Sequence, residues 1–212
     1  MSRDVLFLDI DDVLCLNQPF GGYDVLQALS EVSKGTSQIQ DFPDLWAGLF
    51  SERAVSLVAA IHSEFNPNYV LSTSWRQFMN RPALEAVLKK TGLGFVVENF
   101  HSDWQTPELD ATPQAWGPPV RATRADEISA WLQTNPGCTH WAVLDDQLSG
   151  TGLVGQRWKS RVVLCKENVG FGDAEFRALK AILGGRGNEA AQHLVDIGAV
   201  PCVGHVNGGI PR

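Results

Sequence analysis

The sequence predicts an α/β domain, a mainly parallel central sheet with helices packed on both faces and a small insertion after the first strand. Three observations predict it. Apolar runs of strand length alternate with stretches of helical periodicity, the rhythm of βαβ units. The first run, Val5-Leu6-Phe7-Leu8, is apolar at every position, the pattern of a central strand buried on both faces. Finally, that run delivers Asp9, Asp11 and Asp12 into a turn, and Trp141-Ala142-Val143-Leu144 ends in the same way on Asp145-Asp146. Ligands of open α/β sheets bind beyond the carboxyl ends of the strands, where these acids emerge.

Strands are expected near 4–9, 68–73, 94–97, 140–145 and 161–165, with helices in the gaps. After Ser51, residues Ala54, Val58, Ile61 and Phe65 share one helical face, and Pro67 stops the helix. Pro82 opens the next helix, with Leu84, Val87 and Leu88 facing inward and Gly92 at its end. From about Ala125, Ile128, Trp131 and Leu132 point to the core, and Asn135-Pro136-Gly137 terminates the helix. A last core helix starts near Asp173, carrying Phe176, Leu179, Ile182 and Leu183. Two segments break the rhythm. Residues from about 15 to 50 are too many for an ordinary βα connection and are expected to form a flap or small cap over the site. Residues 99–123, with His101, Trp104, Trp116 and four prolines, are irregular and form a second candidate wall. Residues 1–183 thus make one core domain, and 184–212 a tail with a short helical pattern at 188–197.

Composition narrows the function classes. With 212 residues, 44% hydrophobic and 19% charged, the chain can bury a full core. No apolar run approaches membrane-spanning length, and charge returns at Asp9 before a signal-type core can form, so a soluble, cytoplasmic protein is expected. Cys15, Cys138, Cys165 and Cys202 lack C-x-x-C spacing, which argues for reduced structural cysteines over a zinc knuckle. A formal charge of -7 disfavours broad capture of nucleic acid, so any such contact is expected to be short and no stable nucleic-acid partner is implied. Oligomeric state is not legible. The acids themselves point to a cation: three carboxyls within four residues at a buried strand end repel one another unless a cation or retained protons compensate, and a divalent metal is the economical answer.

The stretch Val5-Leu6-Phe7-Leu8-Asp9-Ile10-Asp11-Asp12-Val13 resembles the first motif of the haloacid dehalogenase (HAD) superfamily, an apolar strand followed by Asp, any residue, Asp, any residue, and Val or Thr. Leu71-Ser72-Thr73-Ser74-Trp75-Arg76 matches the second motif, with Thr73 the preferred residue and Ser72 or Ser74 open by register. Arg124, with Arg121 as alternate, matches the third, and Leu144-Asp145-Asp146 the fourth. The set is similar to the phosphatase branch found in Swiss Army Knife RNA repair proteins. It departs from the commonest pattern in having Asp12 where Gly is usual.

The resemblance implies a Rossmann-like three-layer α/β/α core and an Mg²⁺-dependent phosphohydrolase. Asp9 is then the nucleophile that forms an aspartyl-phosphate, and Asp11 the general acid and base. Mg²⁺ would be held by the Asp9 and Asp145 carboxylates and the Asp11 backbone carbonyl, with Asp146 either a further ligand or a support behind them. Thr73 would donate to a phosphoryl oxygen and Arg124 would neutralise the transferring group. Ser74, Trp75 and Arg76 are candidate substrate contacts. The Trp75 indole either stacks on a base at the pocket rim or packs beneath the insertion. The substrate is expected to be a phosphorylated small molecule, such as a nucleotide, or a phosphorylated nucleic-acid end.

Other readings compete. Acids after a strand also serve as helix caps or solvated turns, and Ser or Thr at strand ends is common. Arg124 as a cation at a helix N-terminus is locally unfavourable, which hints at an anionic partner. A dehalogenase of this fold needs neither Asp11 nor Asp145. A receiver-type signalling domain would accept phosphate on the third strand, whereas Phe95-Val96-Val97 ends at Glu98. A non-catalytic phosphate- or protein-binding module on the same fold is the alternative to an enzyme. Arg157, Lys159 and Arg161 would share one face if extended, and a solvated strand face is the expected outcome. The five histidines have no metal-site spacing, and only His101 stands where a functional role is expected to be open.

Overall fold

The computed structural model describes residues 3–153, 155 and 158–185. Its centre is a parallel sheet of β1 (Val5–Leu8), β2 (Asn68–Leu71), β3 (Phe100–Gln105), β4 (Trp141–Asp146) and β5 (Val162–Cys165), in the order β3-β2-β1-β4-β5. The two acid-tipped runs are therefore the neighbouring central strands. The chain moves outward from β1 through β2 to β3, then crosses back to β4, so the strand order reverses between β1 and β4. That reversal opens a crevice at the carboxyl ends of the strands, the place where α/β sheets bind ligands.

Register decides which residues meet there. Leu8 pairs with both Leu71 and Leu144, so Asp9 and Ser72, just past the ends of β1 and β2, stand level with Asp145 near the end of β4. The ladder runs one step further, with the Asp9 amide donating to the Leu144 carbonyl (3.0 Å) and the Ser72 amide to Leu8 (3.0 Å). Side chains alternate along a strand, so Asp9 follows Phe7 and Asp145 follows Val143 onto the same face. Phe7 and Val143 pack there under α6 (Arg124–Thr134), with Ile128, Trp131 and Leu132. The Phe7 ring meets the edges of Trp131 and Trp141, with centroids 5.1 and 5.9 Å apart. The other face is covered by α3 (Glu52–Phe65), α4 (Arg81–Lys90) and α7 (Asp173–Gly184), whose buried Leu57, Val58, Leu84, Val87, Leu179 and Leu183 share one core cluster with Leu6, Leu8, Leu71 and Leu144. This is the three-layer α/β/α architecture.

The expected helix boundaries rest on recognisable caps. The Ser51 hydroxyl accepts from the Ala54 amide (3.3 Å), and Asn66, ahead of Pro67, ends α3 in the left-handed region. Asn80 caps α4 through the Ala83 amide (3.1 Å). At α6 the Thr123 hydroxyl accepts from the Asp126 amide while the Asp126 carboxylate accepts from the Thr123 amide (2.8 Å), a capping box that fixes where the helix begins and thus where Arg124 stands.

Between β1 and α3 the chain makes α1 (Gly22–Ser33), a 3-10 turn at Ile39–Asp41 and α2 (Pro43–Gly48). Val25, Ala28, Leu45, Trp46, Leu49 and Phe50 of this segment are buried in the same core cluster as Leu6 and Leu8, so it is packed and not a bare loop.

One expected strand is wrong. Residues 94–97 lie in a short helix, α5 (Gly94–Glu98), and the edge strand is Phe100–Gln105. A four-residue apolar run does not distinguish strand from helix by periodicity. The true strand, Phe-His-Ser-Asp-Trp-Gln, lacks an apolar run because an edge strand has exposed faces and carries polar residues. It is followed by Thr106, so no acid stands at that strand end. The basic stripe is also corrected: residues 158–161 form a turn, and Arg161 is buried with its guanidinium over the Trp141 ring (4.9 Å). Arg157, Cys202, His193, His205 and the helical pattern at 188–197 lie outside the described residues.

Candidate active site

At the crevice, one carboxylate oxygen from each of Asp9, Asp145 and Asp146 lies within 4.8 Å of the others, and all three residues are buried. Burial of so much charge needs compensation. Arg124 supplies part of it, with Nε 3.1 Å from Asp145 Oδ2 and Nη2 3.6 Å from Asp9 Oδ1. Glu127, one turn along α6, lies 3.6 Å from Arg124 Nη1 and also pairs with Arg76. Arg76 is further held by the carbonyl and hydroxyl of Thr106, the latter at 2.7 Å. A chain of alternating charge thus runs from the turn after β2 across α6 to the acids, with Glu127 paired to both guanidinium groups.

The pKa shifts report the same imbalance. Burial and then the neighbouring Asp145 hold the Asp9 carboxyl well above its usual range, against the pull of Arg124. Burial pushes Asp145 up to about 7 even with Arg124 beside it. Burial works against the charge on Arg124, but Asp145, Asp9, Glu127 and Asp146 outweigh it and raise its pKa.

Oxygen donors remain open in this cluster. Neither Asp9 oxygen closes a well-formed hydrogen bond, although the Ile10 amide and Thr73 hydroxyl are near enough to favour its charged form. Asp146 Oδ1 accepts from the Leu148 (2.6 Å) and Ser149 (2.9 Å) amides and shapes that turn, while its Oδ2 and Asp145 Oδ2 close no such bond. Three buried carboxylates facing one guanidinium, with hard oxygen donors unsatisfied, fit a hard divalent cation such as Mg²⁺.

The Asp11 carboxylate stands outside this cluster. Its Oδ1 accepts from the Trp75 indole N–H (2.9 Å) and its Oδ2 from the Ser74 hydroxyl (3.0 Å), while the ligand role the resemblance implies falls to its backbone carbonyl. Asp12 takes a left-handed conformation (φ 52°), which explains why Gly is usual at this position. Its Oδ1 accepts from the Asn168 amide (2.8 Å), tying the turn to the loop after β5.

Beside the acids opens a cleft of about 290 Å³ lined by Thr73, Arg76, Arg121, Arg124, Glu127 and Ser149, among others. Thr73 is buried and near Asp9, whereas Ser72 turns to Thr106 (3.5 Å) and Ser74 to Asp11. Arg121 is exposed on the cleft wall, while Arg124 touches the acids. Trp75 is not a rim residue. It is wholly buried, packed beside Phe50 and Phe78 under the insertion, and no face of its ring is available to a base. His101 stands far from the acids, against the edge of Trp131 (4.8 Å), in a cleft with Arg3, Val5 and Asn68 at the amino ends of the strands. Glu127 and Thr106 carried no sequence expectation; the Arg-x-x-Glu spacing that opens α6 was the available signal for Glu127.

The arrangement joins a buried carboxylate with open oxygens, a guanidinium, a hydroxyl and a separate, doubly held carboxylate. That set can bind a tetrahedral oxyanion, attack it and exchange a proton with the departing group. A family profile described as "HAD domain in Swiss Army Knife RNA repair proteins" matches residues 5–176, which contain every one of these groups. No curated protein and no solved structure matches the chain.

Proposed function

The chain belongs to the family of HAD domains found in Swiss Army Knife RNA repair proteins, and on that premise we propose that it is an Mg²⁺-dependent phosphohydrolase acting on a phosphomonoester through an aspartyl-phosphate at Asp9. The observation that carries the reading is Asp9 itself: a buried carboxylate at the switch point of the sheet, with both oxygens lacking a well-formed hydrogen bond, facing Arg124 and beside Thr73.

In the first step an Asp9 oxygen attacks phosphorus, the ester P–O bond breaks, and Asp11 gives a proton to the departing oxygen. In the second, water attacks the same phosphorus, Asp11 takes its proton, and the bond to Asp9 breaks to regenerate the carboxylate. Arg124 and Thr73 hold the phosphoryl oxygens through both steps and offset the charge that builds on them. Mg²⁺, when bound by Asp9, Asp145 and the Asp11 carbonyl with Asp146 beside them, supplies the positive charge that lets an anionic nucleophile approach an anionic ester.

The substrate we favour is a nucleotide or a phosphorylated nucleic-acid end. The family's description supports it, and so does a cleft whose walls carry Arg76, Arg121 and Arg124 against one acid, Glu127. Phosphate release by wild type and Asp9→Asn, with Mg²⁺ or chelator, tests the reading across p-nitrophenyl phosphate, nucleotides, sugar phosphates and oligonucleotides phosphorylated at either end. Release that needs both Mg²⁺ and Asp9, with nucleotides or oligonucleotide ends preferred, is the expected outcome. Absence of release from every substrate would contradict it and favour a binding module.

A further inference from the structure

We infer that Trp75 is a positioning residue for proton transfer: its buried indole N–H, together with the Ser74 hydroxyl, aims the Asp11 carboxylate at the leaving-group oxygen, and the insertion after β1 holds the indole in place. The inference rests on the phosphohydrolase reading and adds a role for a side chain that touches neither the acid cluster nor the cleft.

Two hydrogen bonds to two different oxygens fix a carboxylate in rotation as well as position. Here they come from adjacent residues, Ser74 and Trp75, on the short 3-10 turn Ser74–Gln77 that follows β2. The turn is itself anchored, since the Thr73 hydroxyl accepts from the Trp75 amide (3.4 Å). One dipeptide step therefore links the hydroxyl beside Asp9 to the donor that holds Asp11.

The indole is wholly buried and packed where it meets Asp11. Its ring lies 6.1 Å, centroid to centroid, from both Phe50 and Phe78. The first residue of α1 closes the remaining side: a Cβ on Gly22 would stand 3.4 Å from the Trp75 ring. Phe50 and Gly22 belong to the two ends of the insertion, so the segment that follows the acids in sequence folds back to seat the residue that orients one of them. An apolar ring alone would satisfy that packing. Trp adds an N–H donor at the one point where the ring meets a carboxylate, and a buried indole N–H needs such a partner.

A residue that aims a general acid matters in proportion to how much the leaving group needs a proton. A p-nitrophenolate departs as an anion at neutral pH, whereas an alkoxide, such as a ribose oxygen, does not. Since kcat/KM reports events up to loss of the leaving group, the comparison is made there. In Trp75→Phe, which keeps the aromatic packing, we expect kcat/KM for an alkyl phosphate to fall at least about tenfold and that for p-nitrophenyl phosphate by no more than about threefold. In an Asp11→Asn background the same substitution should change neither by more than about twofold, because the group it positions is gone. Ser74→Ala should show the same selectivity in smaller measure. Equal losses on both substrates would reduce Trp75 to a packing residue, and unchanged kcat/KM on both would remove its role altogether; either result overturns the inference in an enzyme whose Asp9-dependent turnover is intact. Absence of Asp9-dependent turnover in wild type would instead overturn the phosphohydrolase reading, and this inference with it.

Discussion

Asp145 shows at single-residue scale how the acid cluster trades stability for reactivity. Burial lifts its carboxyl to about 7, above its unfolded value near 4. Between those pH values the folded chain binds more protons than the unfolded one, so stability falls as pH rises through the window. Asp9, raised for the same reason and by Asp145 itself, adds to the slope. In chelator, the melting temperature should therefore decline from about pH 4 to pH 7, and Mg²⁺ should remove much of that decline by favouring the ionised acids. Melts that rise with pH in chelator would contradict the account. Arg124 is the cation these acids share, and Arg124→Ala should lower kcat by about 10²–10³-fold, in the range for a lost oxyanion-stabilising donor. A loss of less than threefold in steady-state assays would remove Arg124 from the phosphoryl site.

Among the elements, the turn after β1 depends on a neighbour far away in sequence. Gly170, after β5, has φ 74°, and a Cβ there would meet Leu16 at 2.7 Å and the Val13 carbonyl at 3.0 Å. The next residue, Phe171, donates its amide to that same carbonyl (2.9 Å), and Asn168 donates to Asp12. This loop buttresses the acid turn from outside. Gly170→Ala should cost about 1–2 kcal/mol from the left-handed conformation alone, read by urea unfolding, and wild-type stability would contradict the close approach. The elements that position the site were legible because buried central strands write their burial as unbroken apolar runs and their function as acids at the end. The edge strand was not legible, since its polar exposed faces break the pattern that revealed β1 and β4. Trp75 was open between rim and core because only tertiary packing decides which side of a turn a ring falls on. Glu127 was invisible as a partner of Arg76 because a contact between the turn after β2 and α6 has no local spacing to betray it.

Across the whole molecule, the doubly covered sheet keeps its reactive groups in two classes: those at the crevice and those sealed in the core. Cys15, Cys138 and Cys165 belong to the second class, buried and without disulfides. Burial pushes the thiols of Cys15 and Cys138 up to about 12 and raises that of Cys165 as well, so none offers thiolate at neutral pH. Peptide mapping after brief treatment with a thiol reagent should find these three unmodified in native protein and modified after unfolding; rapid native labelling of any of them would contradict the packing. Among the described residues no helix is long and apolar enough to cross a membrane. What distinguishes this molecule from a generic α/β domain is one carboxylate at the switch point of its sheet. The most direct test of that claim is an acid-quenched single turnover with substrate radiolabelled at phosphorus, followed by peptide mapping. The account predicts transient label on the peptide carrying Asp9, absent from Asp9→Asn and from chelated enzyme. Phosphate release that proceeds without any labelled Asp9 peptide, or that survives in Asp9→Asn, would contradict it.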